Sequence, residues 1–296
     1  MAARVRGPID RVRDSLAGLS VGDAFGEAFF LGDDALAARM IADRLLPTGQ
    51  WGWTDDTAMA ISVARELAAG SFNVDGLARR YASAYAQQPR RGYGGAAHTT
   101  LQAIDRGVPW RIASRSVYPE GSKGNGSAMR SAPIGAFHGW DPKAIARDAR
   151  VAALPTHAHP EAIDGSIAIA LAAGYAAEAP ACGRGDLLSA VVGALPDGSI
   201  AQATGRALEL LGAKPEEAAD ALGSGQRVLC VDTVPFAIWC ADRHIDDFEA
   251  ALWATVAGLG DRDTTCAMVG GIVGARVGVT GIPPEWLERR EPIPAI

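Results

Sequence analysis

The chain has 296 residues, of which 48% are hydrophobic and 21% charged, and its net charge at pH 7 is −6. This composition supplies enough apolar surface for a buried core, disfavours long disordered spans, and lacks the basic clusters typical of nucleic-acid binding. The four cysteines have no C-x-x-C spacing, the runs without charge are too short to span a bilayer, and the N-terminal segment lacks the apolar core of a signal peptide, so we expect a cytoplasmic protein with reduced thiols and no membrane segment.

Helical periodicity dominates the predicted secondary structure. The segment DTAMAISVARELAAG, which starts at Asp56, spaces Met59, Val63 and Leu67 four residues apart and ends at a glycine. The Ala-rich segment 160–179 opens with proline and glutamate, which suit a first turn. Further helices are predicted near residues 9–24, 33–45, 75–88, 95–106, 142–153, 186–194, 200–212, 215–222, 232–241, 246–258 and 264–277.

Strand signals are few, because no alternating β-branched run is flanked by hairpin turns. Glycine and proline are spread along the chain and do not gather at one linker. The sequence therefore predicts an all-α fold, a compact helix bundle, formed by a single domain over residues 1–296.

The first candidate segment is LAGLSVGDAFGEAFF, residues 16–30. Asp23 stands among small residues there, and Gly26 and Glu27 follow it. Small residues around an acid suggest that another backbone approaches closely. A helix junction at which Asp23 acts as a local cap also explains the pattern, and this segment alone is interpreted in that way.

The segment WGWTDDT, residues 51–57, places two carboxylates side by side where a helix begins. Successive helical residues point about 100° apart. Asp55 and Asp56 can therefore aim at one point most easily in a loop or first turn, where the helix dipole also favours negative charge. One aspartate is enough to cap the helix, so the second requires another explanation.

A second acidic pair precedes the last long helix. In GDRDTTC, residues 260–266, Asp261 and Asp263 are two apart and Thr264 follows. A helix cap and a solvated acid would explain this pair alone, but both acidic segments combine an aspartate pair, a threonine and a helix start. Four converging carboxylates require cations, and hard oxygen ligands suit Mg²⁺, Mn²⁺ or Ca²⁺. We expect close packing against the helix at its glycines, Gly270, Gly271 and Gly274.

Two further segments offer hydrogen-bond donors. In GSKGNGSAMRSAP, residues 121–133, a glycine-rich loop precedes an expected helix and has the composition of a phosphate cradle, although an ordinary turn fits equally well. It matches neither a Walker A loop nor a dinucleotide fingerprint. In LPTHAHPEA, His157 and His159 lack the partners of a zinc site, which leaves a donor role toward a ligand oxygen or helix capping. The isolated histidines are interpreted as structural: His98, His138 and His244.

Taken in order, five segments give the chain a resemblance to the ADP-ribosylglycohydrolase family, which includes dinitrogenase-reductase-activating glycohydrolase and the ADP-ribosylhydrolases. The matching segments are GDAFG at 22–26, WTDDT at 53–57, GNGSAMR at 124–130, THAH at 156–159 and GDRDTTCAMVGGIVGA at 260–275. Each is weak alone, but five in order over most of the chain are specific. The resemblance implies an all-α orthogonal helix bundle with a binuclear Mg²⁺ or Mn²⁺ centre.

The resemblance also implies roles for individual residues of this sequence. The metal ligands on one side would be Thr54, Asp55 and Asp56. Those on the other side would be Asp261, Asp263 and Thr264. The diphosphate or distal ribose would be bound by the loop residues Asn125, Gly126 and Ser127, with Met129 and His157 beside the ligand.

Three positions depart from the family pattern. Phe30 stands where members often have a glutamate, and Glu27, one helical turn earlier and close to the same face, is the candidate replacement. Arg262 is the spacer of the D-x-D segment, where a smaller residue is commoner, and we expect it to pair with a phosphate or turn to solvent. Tyr93 and His98 stand where some members place a further acid.

The reaction implied by the resemblance is hydrolysis at the anomeric carbon of ADP-ribose. It would free ADP-ribose from a protein side chain, with arginine favoured, or from a small molecule, and Asp55 or Glu27 would take the proton of water. The alternative is a catalytically weak or inactive ADP-ribose- or nucleotide-binding protein on the same scaffold, which Phe30 and Arg262 suggest. A prenyl-transfer enzyme is disfavoured because D-D-x-x-D is absent after Asp55.

Overall fold

The computed structural model describes residues 6–179 and 182–296, and its regular elements over these ranges are helices. The α-helices are α1 (Pro8–Glu27), α2 (Asp34–Ala42), α3 (Asp55–Ala68), α4 (Val74–Gln87), α5 (Gly95–Asp105), α6 (Trp110–Ala113), α7 (Ala132–His138), α8 (Pro142–Ala153), α9 (Pro160–Glu178), α10 (Asp186–Ala194), α11 (Ser199–Ala207), α12 (Pro215–Leu222), α13 (Val234–Arg243), α14 (Phe248–Val256), α15 (Arg262–Val277) and α16 (Pro284–Arg289). Short 3₁₀ helices cover Asn125–Ser127, Leu208–Leu210, Cys230–Asp232 and Val279–Gly281. The predicted all-α fold is confirmed.

The predicted helix positions agree with the structure to within a few residues, and α7 is the helix expected after the glycine-rich loop. The predicted helix 200–212 is an α-helix only to Ala207 and continues as a 3₁₀ turn. Helices α6 and α16 were not predicted, because segments of four and six residues are too short to show a 3.6-residue period. The first five residues of the segment judged not to be a signal peptide lie outside the described residues.

Helices α1 and α15 form the central pair of the bundle. Three glycines of α1 face α15, and a Cβ at any of them would collide with a backbone carbonyl of that helix: Gly18, Gly22 and Gly26. The facing carbonyls belong, in order, to Gly270, Cys266 and Arg262. The predicted close packing at the α15 glycines is therefore confirmed, and it places the start of α15 beside the end of α1.

An aromatic cluster fixes the segment that leads into α3. Phe25 of α1 stacks on Trp286 of α16 with a ring-centroid distance of 4.5 Å and meets Trp51 and Trp253 edge to face. All four rings are buried. The cluster joins the centre of the bundle to both the segment before α3 and the C-terminal helix.

No described helix combines the length and the apolar character needed to cross a bilayer. The four cysteines are free thiols; three are buried, and burial raises the pKa of Cys240 to about 12.

Candidate active site

A cavity of about 760 Å³ opens where the N-terminal ends of α3 and α15 meet. Asp55 and Asp56 line it from one side, and Asp261, Asp263 and Thr264 line it from the other. The structure thus brings the two acidic segments together although they lie at opposite ends of the chain. The loop from Tyr118 to Gly126, Met129, Arg130 and His157 complete much of the wall.

Asp23 organises the first turn of α3 from within α1. Its carboxylate accepts hydrogen bonds from the Thr54 amide at 2.9 Å, the Thr54 hydroxyl at 2.9 Å and the Thr57 amide at 3.0 Å, and it also accepts the Thr57 hydroxyl. Burial raises its pKa to about 6, and these hydrogen bonds limit the rise. The interpretation of Asp23 as a local cap was therefore incomplete, because it caps a different helix from its own.

Thr54, Asp55 and Asp56 form the start of α3. The Thr54 hydroxyl caps the helix by accepting from the Asp56 amide at 3.3 Å, and the Asp55 amide donates to the Arg91 carbonyl at 2.7 Å. Burial, and then the charge of Asp23, raises the pKa of Asp55 to about 7. Burial and the neighbouring aspartates raise the pKa of Asp56 well above its usual value. Carboxylates with raised pKa values mark functional sites when they cluster in a cavity.

Asp261, Asp263 and Thr264 occupy the equivalent position at the start of α15. Asp261 precedes the helix, its amide donates to the Ser224 carbonyl at 3.0 Å, and its carboxylate accepts from the Asn125 side chain at 2.7 Å. Burial raises the pKa of Asp261, and burial together with the charge of Asp261 raises that of Asp263 well above its usual value. Both acidic segments therefore hold their carboxylates where ionisation is unfavourable without a cation.

The donor set of this cluster fits a hard divalent cation. Asp56 Oδ1 and Asp263 Oδ1 are buried and have no hydrogen-bond partner within the described residues, although buried acceptors are normally satisfied. Carboxylate and hydroxyl oxygens are the ligands that Mg²⁺ and Mn²⁺ prefer. Among the described residues, no three acidic, histidine or cysteine side chains stand as close together as the ligands of a bound ion.

The glycine-rich loop is built differently from its prediction. The Asn125 side chain donates to Asp261 and to the Thr233 hydroxyl, so it ties the loop to the second acidic segment. Gly126 and Met129 line the cavity. Ser127 does not, because its fully buried hydroxyl donates to the Ala162 carbonyl at 2.9 Å in the core. The structure therefore does not support the predicted ligand contact from the Ser127 side chain.

His157 lies against this loop as a neutral donor. The Arg130 guanidinium donates to the Thr156 hydroxyl at 2.8 Å, and that hydroxyl lies 2.7 Å from His157 Nδ1. If the Thr156 proton is directed to Nδ1, as this chain of contacts indicates, the ring carries its hydrogen on Nε2, close to Gly124 and Gly126. Burial and the charge of Arg130 lower the pKa of His157 to about 3, so its ring is uncharged at neutral pH.

Glu27 and Phe30 lie at the edge of the cluster. Glu27 ends α1, is exposed, and does not line the cavity; partial burial of its carboxyl group and the charge of Asp23 raise its pKa. The Phe30 ring is 46% exposed and lies 4.5 Å from the Arg262 guanidinium. Its phenyl group can neither bind a cation through oxygen nor accept a proton.

The structure supports neither expectation for Arg262, which was predicted to pair with a phosphate or to turn to solvent. Its side chain is buried, donates to the Phe29 carbonyl at 3.1 Å and to Asp34 at 2.7 Å, and is stacked on Phe30. The spacer between the two aspartates of α15 therefore binds the connection between α1 and α2, and it neither turns to solvent nor faces the cavity.

Three residues important to this geometry were missed or undervalued in the sequence. Asp23 lies in the matched segment GDAFG, and Arg130 lies in GNGSAMR, so each carried a signal. Arg130 is fully buried and donates to the Gly126 and Ala152 carbonyls. Arg91 carried no sequence signal, because its importance comes from contacts with distant residues.

The fold and this cavity define an all-α protein with an acidic, oxygen-rich site. The family model described as ADP-ribosylglycohydrolase matches residues 4–295. The chain is 27% identical to human ADP-ribosylhydrolase ARH3 over 96% of this chain and 90% of that protein. It is 27% identical to ADP-ribosylarginine hydrolase Tri1 of Pseudomonas putida (strain GB-1) over 95% of this chain and 74% of that protein.

A solved structure described as an ADP-ribosylglycohydrolase-related protein complex has a TM-score of 0.70 and 28% sequence identity to this chain. The alignment covers 97% of this chain and 94% of the other. The chain belongs to the ADP-ribosylglycohydrolase family.

Proposed function

We propose that this protein is an ADP-ribosylhydrolase that uses divalent cations to cleave the bond at the anomeric carbon of ADP-ribose. The observation that carries the proposal is the meeting of two acidic helix starts in one cavity, with two buried carboxylate oxygens lacking partners in the described part of the chain. Family membership supports the reaction class, and the names of the relatives supply the substrate class.

The proposed cation ligands are Thr54, Asp55, Asp56, Asp261, Asp263 and Thr264. Thr54 does not line the cavity, and its hydroxyl contacts Asp23 and Asp56. Bound Mg²⁺ or Mn²⁺ would supply Lewis acidity toward ribose hydroxyls and water and would offset the charge of the crowded carboxylates. The orphaned oxygens of Asp56 and Asp263 favour these two residues as ligands.

The chain itself supplies three functions around the scissile bond. The carboxylates stabilise the positive charge that develops on the ribose ring in an oxocarbenium-like transition state. His157, held uncharged by burial, donates from Nε2 to a ligand oxygen, and the loop containing Gly126 lies beside it. Asp55, which borders the cavity, is one candidate to take the proton of the attacking water, at a typical gain of about 10²–10⁴-fold.

An arginine side chain is the favoured acceptor from which ADP-ribose is released. Its guanidinium group is always charged, and among the cavity-lining residues Glu120 is a carboxylate that is not assigned to the cations. One relative is named an ADP-ribosylarginine hydrolase. We expect release of free ADP-ribose from ADP-ribosyl-arginine with Mg²⁺ or Mn²⁺, slower release from serine- and small-molecule-linked forms, and none in EDTA. Equal turnover in EDTA would contradict the proposed dependence on cations.

Glu27 is the second candidate for the proton acceptor, since it ends α1 three residues before Phe30 and its charge contributes to the raised pKa of Asp263. We predict that Glu27→Gln lowers kcat by roughly 10²-fold, because the amide keeps the shape but cannot take a proton, and leaves Mn²⁺ affinity nearly unchanged. Single-turnover assays and calorimetric Mn²⁺ titration of the same samples measure the two effects. Near wild-type turnover would assign the proton to Asp55.

A second candidate function is binding of ADP-ribose without turnover. The observation that favours it is the stacking of Phe30 on Arg262, which fills the position of the expected acid with a ring. Tight ADP-ribose binding by calorimetry, with no release from any linked substrate in the presence of Mn²⁺, would support this function over hydrolysis.

A further inference from the structure

The segment that carries Asp55 is held from one side by the C-terminal residues. The chain from Trp51 to Thr54 belongs to no helix. The Trp51 amide donates to the Arg289 carbonyl at 2.7 Å, and the Glu291 amide donates to the Trp51 carbonyl at 2.8 Å. The backbone around residue 290 therefore runs parallel to the segment as an isolated bridge.

Arg91 connects this C-terminal contact to Asp55. Its guanidinium forms a two-pronged ion pair with Glu291, at N–O distances of 2.6 and 2.7 Å. It also donates to the Trp53 carbonyl at 3.0 Å and lies 3.5 Å from the centre of the Trp53 ring. Because the Arg91 carbonyl accepts from the Asp55 amide, one residue holds the chain on both sides of Thr54.

The backbone after Arg91 runs past the Asp55 carboxylate with little room between them. Gly92 lines the cavity and has a φ of 90°, in the region that favours glycine. A Cβ at this position would lie 3.4 Å from Asp55 Oδ1. A shift of Arg91 would therefore reach Asp55 through the hydrogen bond to its amide.

The Arg91–Glu291 pair is suited to fixing this arrangement. The exposed fraction is 18% for the Arg91 side chain and 32% for Glu291, so both charges are largely shielded. Hydrogen bonds from Arg91 lower the pKa of Glu291, which keeps its carboxylate charged at neutral pH. A two-pronged pair fixes the plane of a guanidinium in a way that a single hydrogen bond does not.

We propose that Glu291 is a positioning residue for the active site: it orients Arg91, which fixes the backbone from Trp53 to Asp55 and so places the Asp55 carboxylate in the cavity. This inference rests on the proposed function. Functional side chains must be held within about 0.5 Å of their productive positions, so a contact far from the substrate can govern turnover.

The test compares Glu291→Ala, Glu291→Gln, Arg91→Ala and the double variant Arg91→Ala/Glu291→Ala with the wild type. The matched control is Glu285→Ala, which removes another C-terminal glutamate, one paired with Arg289 on the surface. Measurements are kcat and KM for ADP-ribosyl-arginine, and Mn²⁺ affinity of the metal-free protein by calorimetry. The thermal midpoint in EDTA serves to separate a positioning role from general destabilisation.

We expect Glu291→Ala to lower kcat about 10-fold and to weaken Mn²⁺ binding about 10-fold, with a smaller change in KM, since small misplacements of catalytic groups are costly. Glu291→Gln should recover part of both losses, because its amide oxygen still accepts one hydrogen bond. The double variant should be no worse than Arg91→Ala, since Glu291 acts through Arg91. Glu285→Ala should match the wild type.

Three results would overturn the inference and leave the proposed function standing. The first is an active wild type whose Glu291→Ala variant matches Glu285→Ala in kcat and Mn²⁺ affinity. The second is a loss in the double variant equal to the product of the two single losses. The third result applies if Glu291→Ala does not fold: it is a Glu291→Gln variant whose kcat and Mn²⁺ affinity equal those of the wild type. A wild type that neither binds Mn²⁺ nor releases ADP-ribose overturns the proposed function and this inference with it.

Discussion

The two acidic segments reach the same cavity but are held in place by different forces. The segment at the start of α15 is fixed by packing of α15 against α1, so close that glycines face backbone carbonyls, and Asn125 and Arg262 add hydrogen bonds there. The segment at the start of α3 is fixed by hydrogen bonds and charges, from Asp23 on one side and from Arg91 with Glu291 on the other. The α15 half of the site therefore depends on backbone packing in addition to polar contacts, whereas the α3 half depends on polar contacts.

This difference predicts different responses to mutation. A packing contact between backbones cannot adjust, so a single added methyl group should disrupt it. A polar network loses its contacts one at a time, and each loss should be smaller. Loss of a cation ligand is different, because both halves of the site should respond to it in the same way.

Asp263→Ala and Asp56→Ala should each abolish hydrolysis, with losses of at least about 10³-fold, as is usual for removal of an essential catalytic group. Metal-free stability should not fall much, because removing one crowded acid relieves repulsion. Turnover of ADP-ribosyl-arginine and thermal unfolding in EDTA measure both effects. If either variant lost metal-free stability in proportion to activity, its aspartate would have a structural role.

Gly22→Ala should destabilise the protein by about 3 kcal/mol or more, because the new Cβ would collide with the Cys266 carbonyl and neither helix can move away. The control is Gly205→Ala in α11, where no atom lies within 4 Å of the added Cβ. That change should stabilise the helix by up to about 1 kcal/mol. Urea unfolding of both variants gives the difference, and similar values for the two would refute the packing account.

Thr57→Val should cost about 2 kcal/mol, because it removes a hydroxyl donor from the buried Asp23 carboxylate. Thr255→Val is the matched control, since the buried Thr255 hydroxyl donates to a carbonyl within its own helix and to no carboxylate in the described residues. It should cost under about 1 kcal/mol. A Thr57→Val variant no less stable than the control would show that Asp23 does not depend on this contact to hold α3.

Through Asp55 alone, the metal-free protein should lose roughly 2–3 kcal/mol of stability between pH 5 and pH 8. The pKa of Asp55 is raised to about 7 in the folded state, above the usual value of 3.8, so the folded state binds more protons over this interval. The stabilisation of the folded state by protonated Asp55 is fully present below about pH 4, and it is lost as the pH rises through 7. Thermal unfolding in EDTA measures the slope, which Asp55→Asn should flatten and saturating Mn²⁺ should reverse. A stability that rises over this range would contradict the raised pKa.

The sequence predicted the fold class, most helix positions and the two acidic segments, because each depends on local signals. The spacing of apolar residues indicates helices, and neighbouring aspartates just before a helical pattern can be recognised directly in the sequence. The glycines of α15 likewise predicted close packing without naming the partner.

The tertiary structure decided what those residues contact. It directed Ser127 into the core and Arg262 toward the α1–α2 connection, and it made Asp23 a cap for α3. It also placed Glu291 on Arg91, beside the segment that carries Asp55. Such contacts join residues that are far apart in the chain, and their geometry follows from how whole helices pack, which no local pattern of residues specifies.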